Sequence, residues 1–364
     1  MPVRALARVD TGAIERNCAR LAAVAAPARL CAVVKADGYG HGAVPAARAA
    51  RAGGAAWLAV ATATEAAELR AAGIDGSMLV MGALTPSELD VALEARADVV
   101  AWNEAFVAAI AARGGGDVGV HVKLDTGMGR LGTRDPSEAT RVADAVAAAG
   151  GLRVAGAMTH FATADDDAAF MREQLAAYEP WARATAESHP GVLLHAANSA
   201  AALGEPAARF DLVRCGIAIY GMDPFQRDPA GQGLEPALEL SSYVAEVKRC
   251  LPGQSVGYGR RFVAEGETWI GTIPIGYGDG VRRALTNNAD VLVGGRRVPL
   301  VGTVSMDNIT VDLGDEPVPA GTEAVLIGAR GDERILAEEL AARLDTINYE
   351  ITCGITARVP REHR

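Results

Sequence analysis

Between residues 30 and 220 the chain repeats one unit, a short apolar run followed by an alanine-rich stretch with helical spacing. The runs are LCAVV (30–34), WLAVA (57–61), MLVMG (78–82), DVVAW (98–102), VHVKL (120–124), RVAGAM (153–158), VLLHAA (192–197) and DLVRC (211–215). They have the length of short buried strands. The stretches between them include TATEAAELRAAG, TPSELDVALEARA and NEAFVAAIAARGG. Thr85-Pro86-Ser87-Glu88 marks a helix start with a capping-box pair and a proline in the first turn, and Asp135-Pro136-Ser137-Glu138 offers a second. Eight strand–helix alternations are the count of a (β/α)8 TIM-type barrel. An open doubly wound sheet competes, but no GxGxxG follows the first strand.

After about residue 233 the pattern changes. ALELSSYVAEVKRC, TWIGTIPIG, ADVLVGGRRVPLVGTVSMDNITVDLG and TEAVLIGA are β-rich and broken by glycine turns, with one helical stretch, ERILAEELAARLD. The expected domains are therefore a barrel over 1–233 and a C-terminal mainly-β domain over 234–364, with residues 2–9 adding a strand to the latter. No apolar run approaches the roughly 18 residues of a membrane span, and residues 1–30 lack the features of a secretory signal. A net charge of −10 with interspersed signs argues against nucleic acid or an anionic membrane as partner. Five scattered cysteines without a CxxC read as reduced cytoplasmic thiols, Cys31 and Cys215 being core residues, and no cluster suggests a metal.

Of 35 basic residues only three are lysines, Lys35, Lys123 and Lys248. A chain that uses arginine almost everywhere keeps lysine where arginine cannot substitute. Lysine can form an imine, and its pKa moves readily on burial. Lys35 ends the first strand in CAVVKADGYGHG; snorkelling to solvent is the alternative reading of it. Lys248 reads as a surface charge. Active sites of such barrels lie at the carboxyl ends of the strands. There the sequence places Lys35, Arg130 in KLDTGMGRLG, His160 in MTHFATAD, Asn198 and Ser199 after the seventh strand, and Arg214, Gly216 and Ile217 at the eighth. Loops after the last two strands are the usual phosphate site. Ser199, read as an N-cap, and the amides of Gly216 and Ile217 suit that task. An amine at the first strand and an anion site at the last point to pyridoxal phosphate on Lys35.

AVVKADGYGHG, KLDTGMGRLG, THFATAD, HAANSAA, VRCGIAIYG, SVGYG, IPIGYGDG, SMDNI, INYE and RVPR occur in an order and spacing that resembles bacterial alanine racemase over essentially the whole chain. The resemblance implies a pyridoxal-phosphate barrel with a β domain, working as a head-to-tail homodimer and supplying D-alanine for peptidoglycan. It makes Lys35 the cofactor lysine and one base, and Tyr258, from the partner subunit, the other. Arg130 would bind the substrate carboxylate with the backbone of Met306, also from the partner. Tyr39, Ser199, Gly216 and Ile217 would hold the phosphate. Arg214 would face the pyridine nitrogen, with His160 linking it towards Tyr258. Lys123, if carbamylated, would fix Arg130, with Asp307 and Tyr277 in support.

Arginine keeps its proton near neutral pH, so Arg214 should leave the ring nitrogen unprotonated and the ring a shallower electron sink. Racemisation then needs prompt reprotonation on the opposite face, hence two bases. One departure from the family stands in TARVPR: Ala357 occupies the position of a pocket tyrosine. Weaker rejection of serine follows, because an apolar gap discriminates poorly against one hydroxyl. Ser305 replaces a more usual cysteine without an assigned role. His41 reads as a loop residue or a support to the site, His195 as packed near the barrel end, and Asp165, Asp166 and Asp167 as a solvated helix start. The rival readings are a serine or broad-specificity racemase, a barrel-type decarboxylase, a non-catalytic pyridoxal-phosphate-carrying protein, and a cofactor-free aldolase. A decarboxylase would set an acidic residue, not an arginine, against the pyridine nitrogen. The carrier would lack the β domain.

Overall fold

The computed structural model describes residues 3–113 and 116–364; Pro2 of the 2–9 stretch and Gly114–Gly115 of NEAFVAAIAARGG lie outside the described residues. The chain forms two compact units, Gly12–Phe225 and Met1–Thr11 with Gln226–Arg364. Strand β1 (Leu6–Val9) belongs to the second of these.

In the unit Gly12–Phe225, strands β2 (Arg29–Val33), β3 (Trp57–Val60), β4 (Ser77–Val80), β5 (Asp98–Ala101), β6 (Val118–Lys123), β7 (Leu152–Met158), β8 (Leu193–His195) and β9 (Leu212–Cys215) form an eight-stranded parallel sheet. Neighbours pair in chain order from β2 to β8, and β2 also pairs with β9. The remaining gap between β8 and β9 is bridged where the Asp211 and Arg214 amides donate to Leu194 O and Ala197 O at 3.0 and 2.9 Å. The strand side chains Leu58, Val60, Leu79, Val99 and Val122 are fully buried. Each such side chain contributes about 1.5–3 kcal/mol relative to exposure.

The helices between strands start where their capping residues stand. Thr62 and Thr85 each accept from the backbone of a glutamate three residues on, and Glu65 and Glu88 return the bond to the cap amide. At Asp135 only half of this arrangement forms. Asp135 accepts from Ser137 N, but Glu138 accepts instead from the Thr133 hydroxyl.

In the other unit, β1 pairs antiparallel with β10 (Leu238–Tyr243) and parallel with β20 (Arg361–His363). Between β10 and β20 come β11 (Glu246–Cys250), β12 (Ser255–Val256), β13 (Phe262–Val263), β14 (Thr268–Ile273), β15 (Asp290–Val293), β16 (Arg296–Pro299), β17 (Ile309–Gly314), β18 (Glu323–Arg330) and β19 (Glu333–Ile335). The main sheet runs β16-β15-β18-β10-β1-β20 with β19 on β18, and β11-β14-β17 and β12-β13 form two smaller sheets. Gly294 and Gly295 join β15 to β16 with φ of +56° and +84°, the pair of left-handed residues a type I′ hairpin turn requires.

Gln226 exchanges two hydrogen bonds with Asn348, at 2.9 and 3.1 Å, within the β-rich unit. Two sequence readings shift here. ERILAEELAARLD is not helical throughout: Glu333–Ile335 is drawn into the sheet by β18, and the helix spans Ala337–Arg343. A second helix, Asn348–Cys353, follows. Among the described residues no helix is long and apolar enough to cross a membrane, and no group of His, Cys, Asp or Glu could hold a metal ion.

Candidate active site

Lys35 stands just beyond β2 and is half-buried. The chain then turns left-handed for four residues, with φ of +52° at Ala36, +51° at Asp37, +60° at Gly38 and +54° at Tyr39. For the three that are not glycine this conformation costs roughly 1–2 kcal/mol each. Polar bonds offset the cost. The Ala36 amide donates to Glu65 Oε1 at 2.7 Å, and the Ala43 amide donates to Asp37 Oδ1 at 2.8 Å. The helix cap at Glu65 and the turn after Lys35 are thus one construction.

That turn buries Tyr39, whose ring centroid lies 5.1 Å from that of Tyr220. A Cβ on Gly216 would fall 2.3 Å from the Tyr39 hydroxyl, so only glycine lets the phenol approach the backbone. Ser199 is not the N-cap that the sequence suggested. Asn198 caps the helix Ser199–Gly204 by accepting from Ala201 N at 3.0 Å, which leaves Ser199 Oγ to accept from Gly216 N at 3.0 Å. Ile217 is fully buried in the turn that follows.

Arg214, in β9, is buried and heavily bonded. Its Nη1 donates to His195 Nδ1 at 2.8 Å and to His195 O at 3.0 Å, and its Nη2 donates to Thr159 O at 2.7 Å and Ala196 O at 3.0 Å. His160 Nδ1 lies 3.2 Å from Nη2. The buried Nε–H alone has no hydrogen-bond partner among the described residues. Burial pulls the guanidinium down to about 10, which still leaves it charged at neutral pH. Burial, and then the charges of Arg214, Lys123, Arg130 and Lys35, hold His160 well below the ordinary histidine range. Lys35 follows β2, Lys123 ends β6 with Arg130 beyond it, and Arg214 lies in β9, so the cations that act on His160 come from three strands.

Lys123 closes β6 at 4% exposure. Burial first, then Arg214 and Arg130, push its amine down to about 8, with Asp125 opposing. Asp125 accepts from the amides of Gly127 and Gly129 at 3.1 and 3.0 Å, folding the loop that carries the exposed Arg130.

The remaining sequence-predicted residues lie in the β-rich unit. Tyr258 is 75% exposed rather than packed in a core, and its carbonyl accepts from the Thr303 hydroxyl at 2.6 Å. The amides of Tyr277 and Gly278 donate to Ser305 O and Met306 O, both at 2.9 Å, and Arg358 Nη2 donates to Asp307 Oδ1 at 2.7 Å. Tyr277 and Met306 are also exposed.

Residues 9–224 match the family described as alanine racemase, N-terminal domain, and residues 237–363 match alanine racemase, C-terminal domain. The chain belongs to the alanine racemase family. Its similarity to the alanine racemase of Thermobifida fusca is 46% identity over 365 residues, 98% of this chain and 96% of that relative. Against the alanine racemase of Geobacillus stearothermophilus it is 40% over 364 residues, 98% and 92% of the two chains. The crystal structure of alanine racemase from D-cycloserine producing Streptomyces lavendulae superposes with a TM-score of 0.93 at 39% identity, covering 100% of this chain and 98% of that one. That from E. faecalis gives 0.94 at 36% identity, over 99% and 98%.

The enzyme is an amino-acid isomerase that uses pyridoxal phosphate. The residues present fit that group in two ways. Gly216 and Tyr39 form a cradle that any Cβ would fill, and the unpartnered Nε–H of Arg214 is a buried donor in want of an acceptor. Sequence reasoning missed Glu65, whose capping motif disguised its bond to the lysine turn.

Proposed function

We propose that the enzyme racemises alanine with two bases on opposite faces of the substrate, Lys35 and Tyr258 of the partner subunit, in a homodimer that shares its active sites. The D-alanine it makes supplies peptidoglycan. The observation that carries this reading is the single open donor of Arg214. A fully charged guanidinium offering N–H suits a neutral pyridine nitrogen and opposes its protonation, whereas decarboxylation would be served by a carboxylate there. Bound pyridoxal phosphate supplies the electron sink that acidifies the substrate's Cα–H.

The chain's own groups do the rest. Tyr39, Ser199 and the Gly216–Ile217 backbone hold the phosphate. Arg130, steadied by Lys123, takes the substrate carboxylate, together with Met306 of the partner subunit, and Asp307 and Tyr277 of the partner subunit support that side. The Lys35 amine moves the proton on one face and the Tyr258 phenol of the partner subunit on the other; each base contributes about 10² to 10⁴ in rate. Three large side chains exposed in the single chain, Tyr258, Tyr277 and Met306, support their use against a second copy.

The test is proton exchange in D2O with Tyr258→Phe, alongside borohydride reduction and mapping of the adduct. Loss of Cα exchange for one enantiomer of alanine, with exchange retained for the other and the adduct on Lys35, is the expected result. Undiminished racemisation removes the second base. A second reading, tolerance of serine, is favoured by the exposed Ala357 in place of a pocket tyrosine.

A further inference from the structure

The interior of this barrel is not wholly apolar. Asp98 opens β5, His121 lies within β6, His195 ends β8 and Arg214 lies in β9. Their side chains form one continuous column. Asp98 Oδ2 is 3.3 Å from His121 Nε2, His121 Nδ1 is 2.8 Å from His195 Nε2, and His195 Nδ1 is 2.8 Å from Arg214 Nη1. Both imidazoles are fully buried. Two glycines make room for the column. A Cβ on Gly119 would meet Asp98 Oδ2 at 2.1 Å, and one on Gly156 would meet His121 Nδ1 at 2.1 Å and His195 Nε2 at 2.7 Å. At its outer end Asp98 is paired with Arg153 at 3.1 Å, and Arg153 with the exposed Asp117, also at 3.1 Å.

The column has one consistent direction. Arg214 can only donate, so His195 Nδ1 must accept and its Nε2 must carry the proton. His121 Nδ1 then accepts in turn, and its Nε2–H donates to the Asp98 carboxylate. A cation stands at one end, an anion at the other, with two neutral imidazoles of fixed tautomer between them. Burial first, and then the charge of Arg214, keeps His195 well below its ordinary range, in line with a neutral ring. Burial alone would raise Asp98, but the His121 hydrogen bond and Arg153 hold it below the usual carboxylate range.

We propose that Asp98, His121 and His195 are positioning residues for racemisation: with the carbonyls of Thr159, His195 and Ala196 they lock the plane of Arg214, so that its Nε–H is the one donor left, among the described residues, for the cofactor's ring nitrogen. This rests on the reading of Arg214 given above. Without His195 Nδ1 as acceptor, one Nη1–H would lose its partner, and the carbonyls of Thr159, His195 and Ala196 would hold the guanidinium less firmly. Without Asp98, the Nε2–H that Arg214 imposes on His121 is left buried with no acceptor in the column, and the far end of the column is no longer held.

Holoenzyme labelled with 15N-histidine tests this without any substitution. Long-range 1H–15N correlation is expected to show both His121 and His195 neutral and protonated at Nε2. An Nδ1-protonated or cationic form of either would overturn the proposal. Two variants separate shape from charge. Asp98→Asn keeps an acceptor and should retain both the tautomers and kcat. Asp98→Leu removes the acceptor, and kcat should fall about tenfold with KM for alanine unchanged, as for loss of groups that orient a liganding side chain. In that variant the 15N shifts of the His121 ring and of labelled pyridoxal phosphate should move together. Wild-type kcat and unmoved shifts in Asp98→Leu would overturn the relay. Borohydride labelling of Lys35 in the same samples keeps the two readings apart. A labelled Lys35 with a failed relay leaves the cofactor assignment standing; an unlabelled Lys35 removes the foundation of both.

Discussion

At the scale of single residues, the scarcity of lysine singles out Lys35 and Lys123 from the amino-acid sequence alone. Arginine would stay charged at either position, whereas lysine need not. Burial makes that difference physical at Lys123. Burial pushes its amine down to about 8, so the neutral, nucleophilic fraction grows as pH rises through that value and shrinks below it. At fixed dissolved 13CO2 a carbamate carbon signal should therefore strengthen as pH rises through about 8 and vanish in Lys123→Met. No such signal at any pH would rule out a carbamylated Lys123. Ala357 is exposed, at the position that the resemblance of TARVPR to the family pattern gives to a pocket tyrosine. Ala357→Tyr should raise the ratio of kcat/KM for alanine over serine by about tenfold, within the range one poorly rejected hydroxyl allows. An equal ratio in both proteins would show that another wall sets the pocket. By contrast, nothing about Asp98 or His121 alone announced a role, because each acquires its meaning from a partner on another strand.

At the scale of elements, the helix caps were readable because they are local, and Thr85 with Glu88 needs only four residues. The same locality concealed what Glu65 does. Its side chain serves the Thr62 cap with one oxygen and the Ala36 amide, at the start of the left-handed turn, with the other. Glu65→Ala should therefore destabilise the protein by about 1–3 kcal/mol in urea unfolding, the range for a lost cap plus a charge-assisted hydrogen bond. It should also weaken cofactor binding, which Thr62→Ala, a cap change alone, should leave unaltered. Equal cofactor affinities in the two variants would mean that the turn after Lys35 holds without Glu65. The reading of ERILAEELAARLD failed at this scale for the complementary reason. Ile335 is buried because β18 offers its residues a ladder, which outweighs their helical spacing.

At the scale of the whole molecule, the proposed sharing of active sites makes a prediction that no single chain could meet. Lys35→Ala and Tyr258→Phe are each expected to be inactive. Unfolded, mixed in equal amounts and refolded, they should recover about a quarter of wild-type activity, because half the random dimers carry one intact site of two. A mixture with no activity would place both bases in one chain. The eight strand–helix alternations of Gly12–Phe225, and the residues standing at their strand ends, followed from the sequence by itself, since apolar spacing, caps and turn glycines act over a few neighbouring positions. Tertiary structure alone decided which of those ends meet. Barrel closure and strand register bring His121 onto His195 across 74 residues and leave Arg214 one unpaired donor. Such contacts between distant segments depend on how strands pack in space, and local sequence pattern carries no record of that.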